Sequence, residues 1–213
     1  DAGVAFDGDA DRALFADAEG RVVDGDQVLA ACAVAARGSG TLTGDLVVTT
    51  VMANLGFRRA MDDAGIRVLE APVGDRYVLE AMLSTGATLG GEQSGHVIFR
   101  DLSPTGDGML TAVRFLSLAR AQGRSVSDLA STMRRYPQVL VNVPVRDRGA
   151  LAEATAVWEA VRAAERDLDD GGRVLVRASG TEHLVRVMVE AEVDADATRH
   201  AAAIAEVVRA TLA

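Results

Sequence analysis

The sequence predicts the end of one α/β domain, then a complete mixed-sheet α/β domain, then a small α+β domain of order β-α-β-β-α. Three observations predict it. Apolar runs of strand length alternate with helical stretches as far as Arg135, and glycines close the helices. After Tyr136 the rhythm changes to strand, helix, two strands and helix. With 213 residues, 49% of them hydrophobic, the chain is long enough for two cores.

Taken in order, Asp1-Ala2-Gly3 runs straight into a strand at Val4-Ala5-Phe6, as though the chain were the later part of something longer. Ala13 to Ala16 is a second strand and Glu19-Gly20 a turn. Asp26 is expected to cap an Ala-rich helix reaching Arg37, with Gly38 at C′ and a linker from Gly38 to Gly44. Leu46 to Val51 is a β-branched strand, Leu55 to Ala64 a helix stopped by Gly65, Ile66 to Leu69 a strand, and Arg76 to Thr85 a helix stopped by Gly86. Thr88 to Gly90 and Val97 to Phe99 flank a turn-rich loop, and a helix from Gly106 ends before Gly123, with Asp107 as its cap. A short helix spans Ser127 to Arg135. The last part reads as strand Val139 to Val145, helix Leu151 to Arg166, strands Val174 to Arg177 and Leu184 to Ala191, and helix Ala195 to Leu212. The expected domains are therefore 1–40, 41–135 and 136–213.

The net charge of −9, with acidic residues spread along the chain, argues against a nucleic-acid partner. The single cysteine, Cys32, sits among apolar neighbours as a buried small side chain. No signal-like N-terminus and no apolar run of spanning length occur, so no membrane is expected and the cytoplasm is the expected location. The basic residues are all Arg apart from three His, so a mechanism needing lysine cannot be completed by this chain alone. Trp158 and the methionines are expected in packing, and His200 on the surface. The sequence sets no oligomeric state.

Three constellations carry chemistry. Asp7, Asp9 and Asp11 alternate after the first strand and are followed by Arg12; in extended backbone such residues share a side, and three carboxylates that close call for a cation. Oxygen-only ligands favour Mg²⁺, with open positions for a phosphate oxygen. The EF-hand reading fails because its sixth and twelfth positions hold Arg12 and Ala18. An acidic turn at a strand end is the alternative. In Gly90-Gly91-Glu92-Gln93-Ser94-Gly95-His96, residues Glu92, Ser94 and His96 alternate, and the loop can offer a carboxylate and a hydroxyl to vicinal sugar hydroxyls or be a plain glycine-rich hairpin. Gly74-Asp75-Arg76 caps a helix or lines that same site. In Arg177-Ala178-Ser179-Gly180-Thr181-Glu182-His183, with Arg186 beyond, small residues and flanking arginines suit a phosphate cradle better than an ordinary hairpin.

With Asp-Gly-Asp-Ala-Asp-Arg, Gly-Glu-Gln-Ser-Gly-His and Arg-Ala-Ser-Gly-Thr-Glu in that order, the chain resembles the α-D-phosphohexomutase superfamily. Val73 to Val78, Pro137 to Val143 and Gln93 bring it nearest the bacterial amino-sugar branch. The resemblance implies a phosphosugar isomerase acting on glucosamine phosphates through a phosphoserine enzyme and a bisphosphate intermediate. It implies four domains, of which the end of the second, the third and the fourth are present. The first, with its phosphoserine and its general acid and base, is not, so the chain alone is expected to be inactive. Carried over, Asp7, Asp9 and Asp11 are Mg²⁺ ligands and Arg12 faces the transferring phosphoryl group. Glu92, Ser94 and Asp75 read the sugar, and Arg177, Ser179, Gly180, Thr181 and Arg186 anchor the non-reacting phosphate. His183 stands where the family usually has proline. The alternatives are a phosphoglucomutase or phosphomannomutase, a haloacid-dehalogenase-like phosphatase with Asp7 as nucleophile, Asp9 as acid and Thr49 or Thr50 on the phosphate, or a phosphosugar sensor without turnover.

Overall fold

Strand β1 (Gly3–Phe6) leads into the aspartate loop and returns as β2 (Ala13–Ala16), which pairs antiparallel with β1 and with a two-residue strand, β3 (Val22–Val23). The structure is a computed structural model, and it describes all residues from 1 to 213. β3 had no sequence signal because two residues are too few to show a period. The β2 face alternates, with Ala13 and Phe15 buried and Leu14 exposed, so this small sheet turns one side to a core. That core contains helix α1 (Gly25–Gly38), which also packs on helix α2 (Leu55–Asp63). Residues from the piece expected at 1–40 thus share one interior with Phe57, Met61, Leu89, Phe99 and Phe115.

Asp24, not Asp26, caps α1: its side chain accepts from the Gln27 N–H while the Gln27 side chain accepts from the Asp24 N–H. This reciprocal box is a stronger cap than a lone carboxylate. Asp26 lies inside the first turn, fully buried, and accepts from the Asn54 N–H at 2.8 Å. It ties α1 to the start of α2.

The central sheet of this unit has the order β5-β4-β6-β7, made of β4 (Leu46–Thr50), β5 (Arg67–Ala71), β6 (Leu89–Gly91) and β7 (Val97–Phe99). β4 pairs in parallel with β5 and β6, while β6 and β7 are antiparallel, so the sheet is mixed as expected. Helix α3 (Asp75–Thr85) ends in left-handed Gly86, helix α4 (Gly108–Gln122) starts from Asp107 and ends in left-handed Gly123, and α5 (Val126–Ala130) is one capped turn. Cys32 is buried, and burial pushes its thiol up to about 12.

The chain divides into two compact units at Arg135 and Tyr136. The second contains β8 (Gln138–Pro144), β9 (Gly172–Ala178) and β10 (Leu184–Ala191), antiparallel in the order β8-β10-β9, with helices α6 (Thr155–Leu168) and α7 (Asp194–Leu212). Val143, Val185, Val187 and Val189 join the helices in its core. The helix expected from Leu151 begins instead at Thr155, after a 3-10 turn over Arg148–Glu153. The Trp158 Nε1 donates to the Leu151 carbonyl at 3.0 Å across that break. His200 is buried, not on the surface, and its Nε2 lies 3.0 Å from Asp167 Oδ2. Met109 projects from α4 into solvent, whereas Met61, Met82, Met133 and Met188 are core.

Candidate functional site

The aspartate loop is a tight turn, not a continuation of the strand. The Ala10 N–H donates to the Asp7 carbonyl at 3.3 Å, and Ala10 itself has φ of 58°. The three carboxylates converge through that turn, each offering an oxygen within 4.8 Å of the others. Asp7 Oδ1 accepts the Arg12 N–H at 3.2 Å, and the Arg12 Nε stands 3.6 Å from Asp7 Oδ2 and 3.7 Å from Asp11 Oδ1. Burial pushes the Asp7 carboxyl up, but the Arg12 N–H and the Arg12 charge act against it, and the carboxyl stays below the ordinary carboxylate value. Asp11 Oδ1 is buried with no hydrogen-bond donor. An all-oxygen set with such an orphaned acceptor fits a hard divalent cation.

The β6–β7 loop is locked onto this turn. The Ala13 N–H donates to the Gly95 carbonyl at 3.1 Å, and the Gly25 N–H donates to the Gln93 carbonyl at 3.0 Å. Gly95 has φ of 96°, and a Cβ on Gly25 would lie 2.1 Å from the Glu92 carbonyl oxygen, so neither position takes a side chain. Glu92 Oε1 accepts the Gly74 N–H at 3.0 Å, which brings the start of α3, with exposed Asp75, beside the loop. Ser94 is exposed. The structure therefore gathers Asp7, Asp9, Asp11, Arg12, Glu92 and Ser94 into two joined loops of one unit, with Asp75 adjoining.

The third constellation belongs to the second unit. Arg177 and Arg186 face each other across the β9–β10 pair, a placement of like charges that costs stability unless an anion neutralises it. Burial, and then the Arg186 charge, lower the Arg177 pKa. The Arg186 Nη2 donates to Glu182 Oε2 at 3.0 Å, while its Nε is buried and unpartnered. Ser179 Oγ accepts the Glu182 N–H at 3.3 Å, shaping the loop that carries Gly180 and Thr181.

Two residues have a place here that sequence reasoning did not assign. His96 is buried, and its Nδ1 lies 3.1 Å from Asp11 Oδ2, joining the β6–β7 loop to the aspartate loop. Its place on the same alternation as Glu92 and Ser94 was the available signal. Arg148 reaches the Ser179 and Gly180 carbonyls from a distant segment, which no local pattern reveals. Thr49 and Thr50 are buried inside β4, so neither meets a phosphate as the phosphatase alternative requires. Two concavities, of about 580 and 710 Å³, are lined by none of the candidate residues. We locate the site by its polar groups, because a charged ligand is held by placed donors and acceptors rather than by cavity volume.

Residues 24–136 match the family description "Phosphoglucomutase/phosphomannomutase, alpha/beta/alpha domain III", and residues 140–207 match "Phosphoglucomutase/phosphomannomutase, C-terminal domain". Phosphoglucosamine mutase of Frankia alni is 58% identical over 212 residues, covering 100% of this chain and 47% of its own length. That of Solibacter usitatus is 54% identical, covering 97% and 46%. The chain thus spans about half the length of the curated relatives it matches. Among solved structures, the N-acetylphosphoglucosamine mutase of Aspergillus fumigatus in complex with GlcNAc-6P and magnesium aligns with a TM-score of 0.81 at 22% identity, over 99% of this chain and 49% of that one, a likeness of fold. On the two domain matches, which together cover most of its residues in order, this chain belongs to the phosphoglucomutase/phosphomannomutase family.

Proposed function

We propose that this chain is the metal-, sugar- and phosphate-binding part of a cytoplasmic phosphoglucosamine mutase. The whole protein would interconvert glucosamine 6-phosphate and glucosamine 1-phosphate for UDP-N-acetylglucosamine and peptidoglycan synthesis. The observation that carries the reading is the union of the aspartate turn and the Glu92 loop through the Ala13 to Gly95 hydrogen bond and the His96–Asp11 contact. A cation site and a sugar-hydroxyl reader built into one rigid body are what phosphoryl transfer to a sugar needs. The identity to two phosphoglucosamine mutases supports the amino sugar.

Asp7, Asp9 and Asp11 would hold Mg²⁺ through one oxygen each. When bound, the ion withdraws charge from the phosphoryl oxygens as a Lewis acid. Arg12, already between Asp7 and Asp11, offers the rest of its guanidinium to the same oxygens. Glu92 has one oxygen on the Gly74 N–H and keeps acceptor capacity for sugar hydroxyls; Ser94 and Asp75 lie exposed nearby to complete that recognition. Arg177, Arg186 and the Ser179-Gly180-Thr181 loop would take the phosphate that is not reacting. The phosphoryl group passes from an enzyme phosphoserine to the free hydroxyl of the sugar monophosphate, and the resulting bisphosphate returns its other phosphoryl group to the serine. By family likeness that serine belongs to the part of the relatives that this chain does not span, so the chain alone has no donor.

The test is to express the full-length protein and assay conversion of glucosamine 6-phosphate with Mg²⁺ and a sugar 1,6-bisphosphate. Turnover is expected for the full-length protein and none for residues 1–213 alone. A folded, full-length protein that turns over glucose or mannose phosphates in preference to the amino sugar refutes the assignment.

A further inference from the structure

We infer that Arg148 is a positioning residue that clamps the phosphate loop into its anion-accepting form. The proposal rests on the reading of residues 177–186 as the phosphate cradle and extends it. The Arg148 Nη1 donates to both the Ser179 carbonyl, at 2.8 Å, and the Gly180 carbonyl, at 2.7 Å. These successive carbonyls are the negative ends of backbone dipoles with no other hydrogen-bond donor, and a loop free to turn would bring them towards a bound phosphate and repel it. A cation holding both on its own side leaves the opposite polarity for the ligand. The N–H groups of Gly180 and Thr181 have no acceptor within the chain, and the Arg186 Nε is buried without one.

The tip of the loop has no other hold. Gly180 has open space around it, and the remaining ties lie at the base and on the far side: the Ser179 N–H to the Leu184 carbonyl, the Val145 N–H to the His183 carbonyl at 3.0 Å, the Glu182 N–H to Ser179 Oγ at 3.3 Å and the Arg186 Nη2 to Glu182 Oε2 at 3.0 Å. Arg148 is itself fixed, because it opens the 3-10 turn whose cap, Asp147, accepts the Gly149 N–H at 2.8 Å. With Nη1 committed to two carbonyls, Arg148 differs from Arg177, which has no carboxylate partner and meets the anion directly. The planar guanidinium suits this double engagement, and a lysine ammonium imitates it only in part.

Inorganic phosphate is the probe, titrated into residues 1–213 while the amide resonances of Gly180 and Thr181 are followed by NMR. Wild type is expected to shift both amides and Arg177→Ala to lose the response. Arg148→Ala should bind phosphate about tenfold more weakly, with added guanidinium ion restoring most of the loss, and Arg148→Lys should fall between. If Arg148→Ala fails to fold, Arg148→Lys carries the comparison, since it retains charge but one fewer fixed donor geometry. In the full-length enzyme the same change should raise KM for the sugar phosphate about tenfold and leave kcat within about twofold. Phosphate affinity unchanged in Arg148→Ala overturns the clamp, as does a loss that neither lysine nor guanidinium recovers. If wild type and Arg177→Ala respond to phosphate alike, the cradle reading itself fails, a result distinct from failure of the clamp.

Discussion

In the first unit the acidic residues sit on two loops held together by backbone hydrogen bonds and close glycine contacts, whereas in the second the arginine loop hangs from one hairpin and is restrained by side chains. Both gather like charge, carboxylates in one and guanidinium groups in the other, and both carry an unsatisfied buried polar atom, Asp11 Oδ1 and Arg186 Nε. The difference lies in how position is fixed. A turn proposed to present three carboxylates to one ion needs sub-ångström placement, which packed backbone provides. A loop proposed to accept a phosphate in either substrate orientation tolerates adjustable side chains.

The largest expected contrast is mechanical. Gly95→Ala forces a left-handed φ of 96° on alanine and drives its Cβ to 2.5 Å from the Ala13 carbonyl oxygen. A loss of about 3 kcal/mol or more is expected in thermal or urea unfolding. Gly180→Ala meets nothing within 4 Å, and its expected cost is within about 0.5 kcal/mol. Equal costs at the two positions would remove the distinction between a backbone-locked and a side-chain-restrained site.

Next in size are the ligands. Asp9→Asn should weaken Mg²⁺ binding by calorimetry at least about tenfold, because one of three anionic ligands becomes neutral. Arg177→Ala should leave Mg²⁺ affinity unchanged. Loss of Mg²⁺ binding in the arginine variant alone would reverse the assignment of the two loops.

Arg177→Met sharpens the comparison from the other side. Removing one of two arginines that oppose each other across β9 and β10 is expected to raise stability by about 0.5 kcal/mol without phosphate. Saturating phosphate should erase or reverse that gain, since only the wild-type pair binds the anion and is stabilised by mass action. Unfolding curves with and without phosphate measure both numbers.

Much of this organisation was legible in the chain. The alternating strands and helices, the glycine stops at Gly86 and Gly123 and the bounds of β10 follow from local periodicity and turn chemistry. The capping carboxylate was misplaced by two residues because Asp24 and Asp26 both precede an Ala-rich run, and only the reciprocal bond with Gln27 separates them. His200 looked like a surface residue on a helix rich in alanine, and it is buried because α6 covers it and supplies Asp167. The three motifs stood out by spacing and composition, but the contacts that His96 and Arg148 make with them come from 85 and 31 residues away in sequence. Such long-range pairing carries no local period for a sequence to display.

The smallest effect is one of pH, and it has opposite signs in the two units. Burial raises the Asp24 carboxyl above 3.8, against the pull of Arg135 and of the Gln27 and Asp26 N–H groups. A folded pKa above the unfolded one means that folding favours the protonated acid, so Asp24 withdraws stability as pH rises through that window. Asp24→Asn keeps a capping oxygen and cannot ionise. Its stability relative to wild type should therefore rise as pH passes from below 3.8 to neutrality. Asp167, in the second unit, is lowered from 3.8 by the Arg199 hydrogen bond first and by the Arg199 charge. Its contribution is fully present above the unfolded pKa and fades as pH falls through the folded one, so Asp167→Asn should lose stability at neutral pH and match wild type in acid. Both groups are modest, and the Asp167 pair is exposed and screened by salt. The sign is therefore the readout: two unfolding series between acid and neutral pH should diverge in opposite directions, and parallel curves would mean that the buried cap of the first unit is as well compensated as the surface pair of the second.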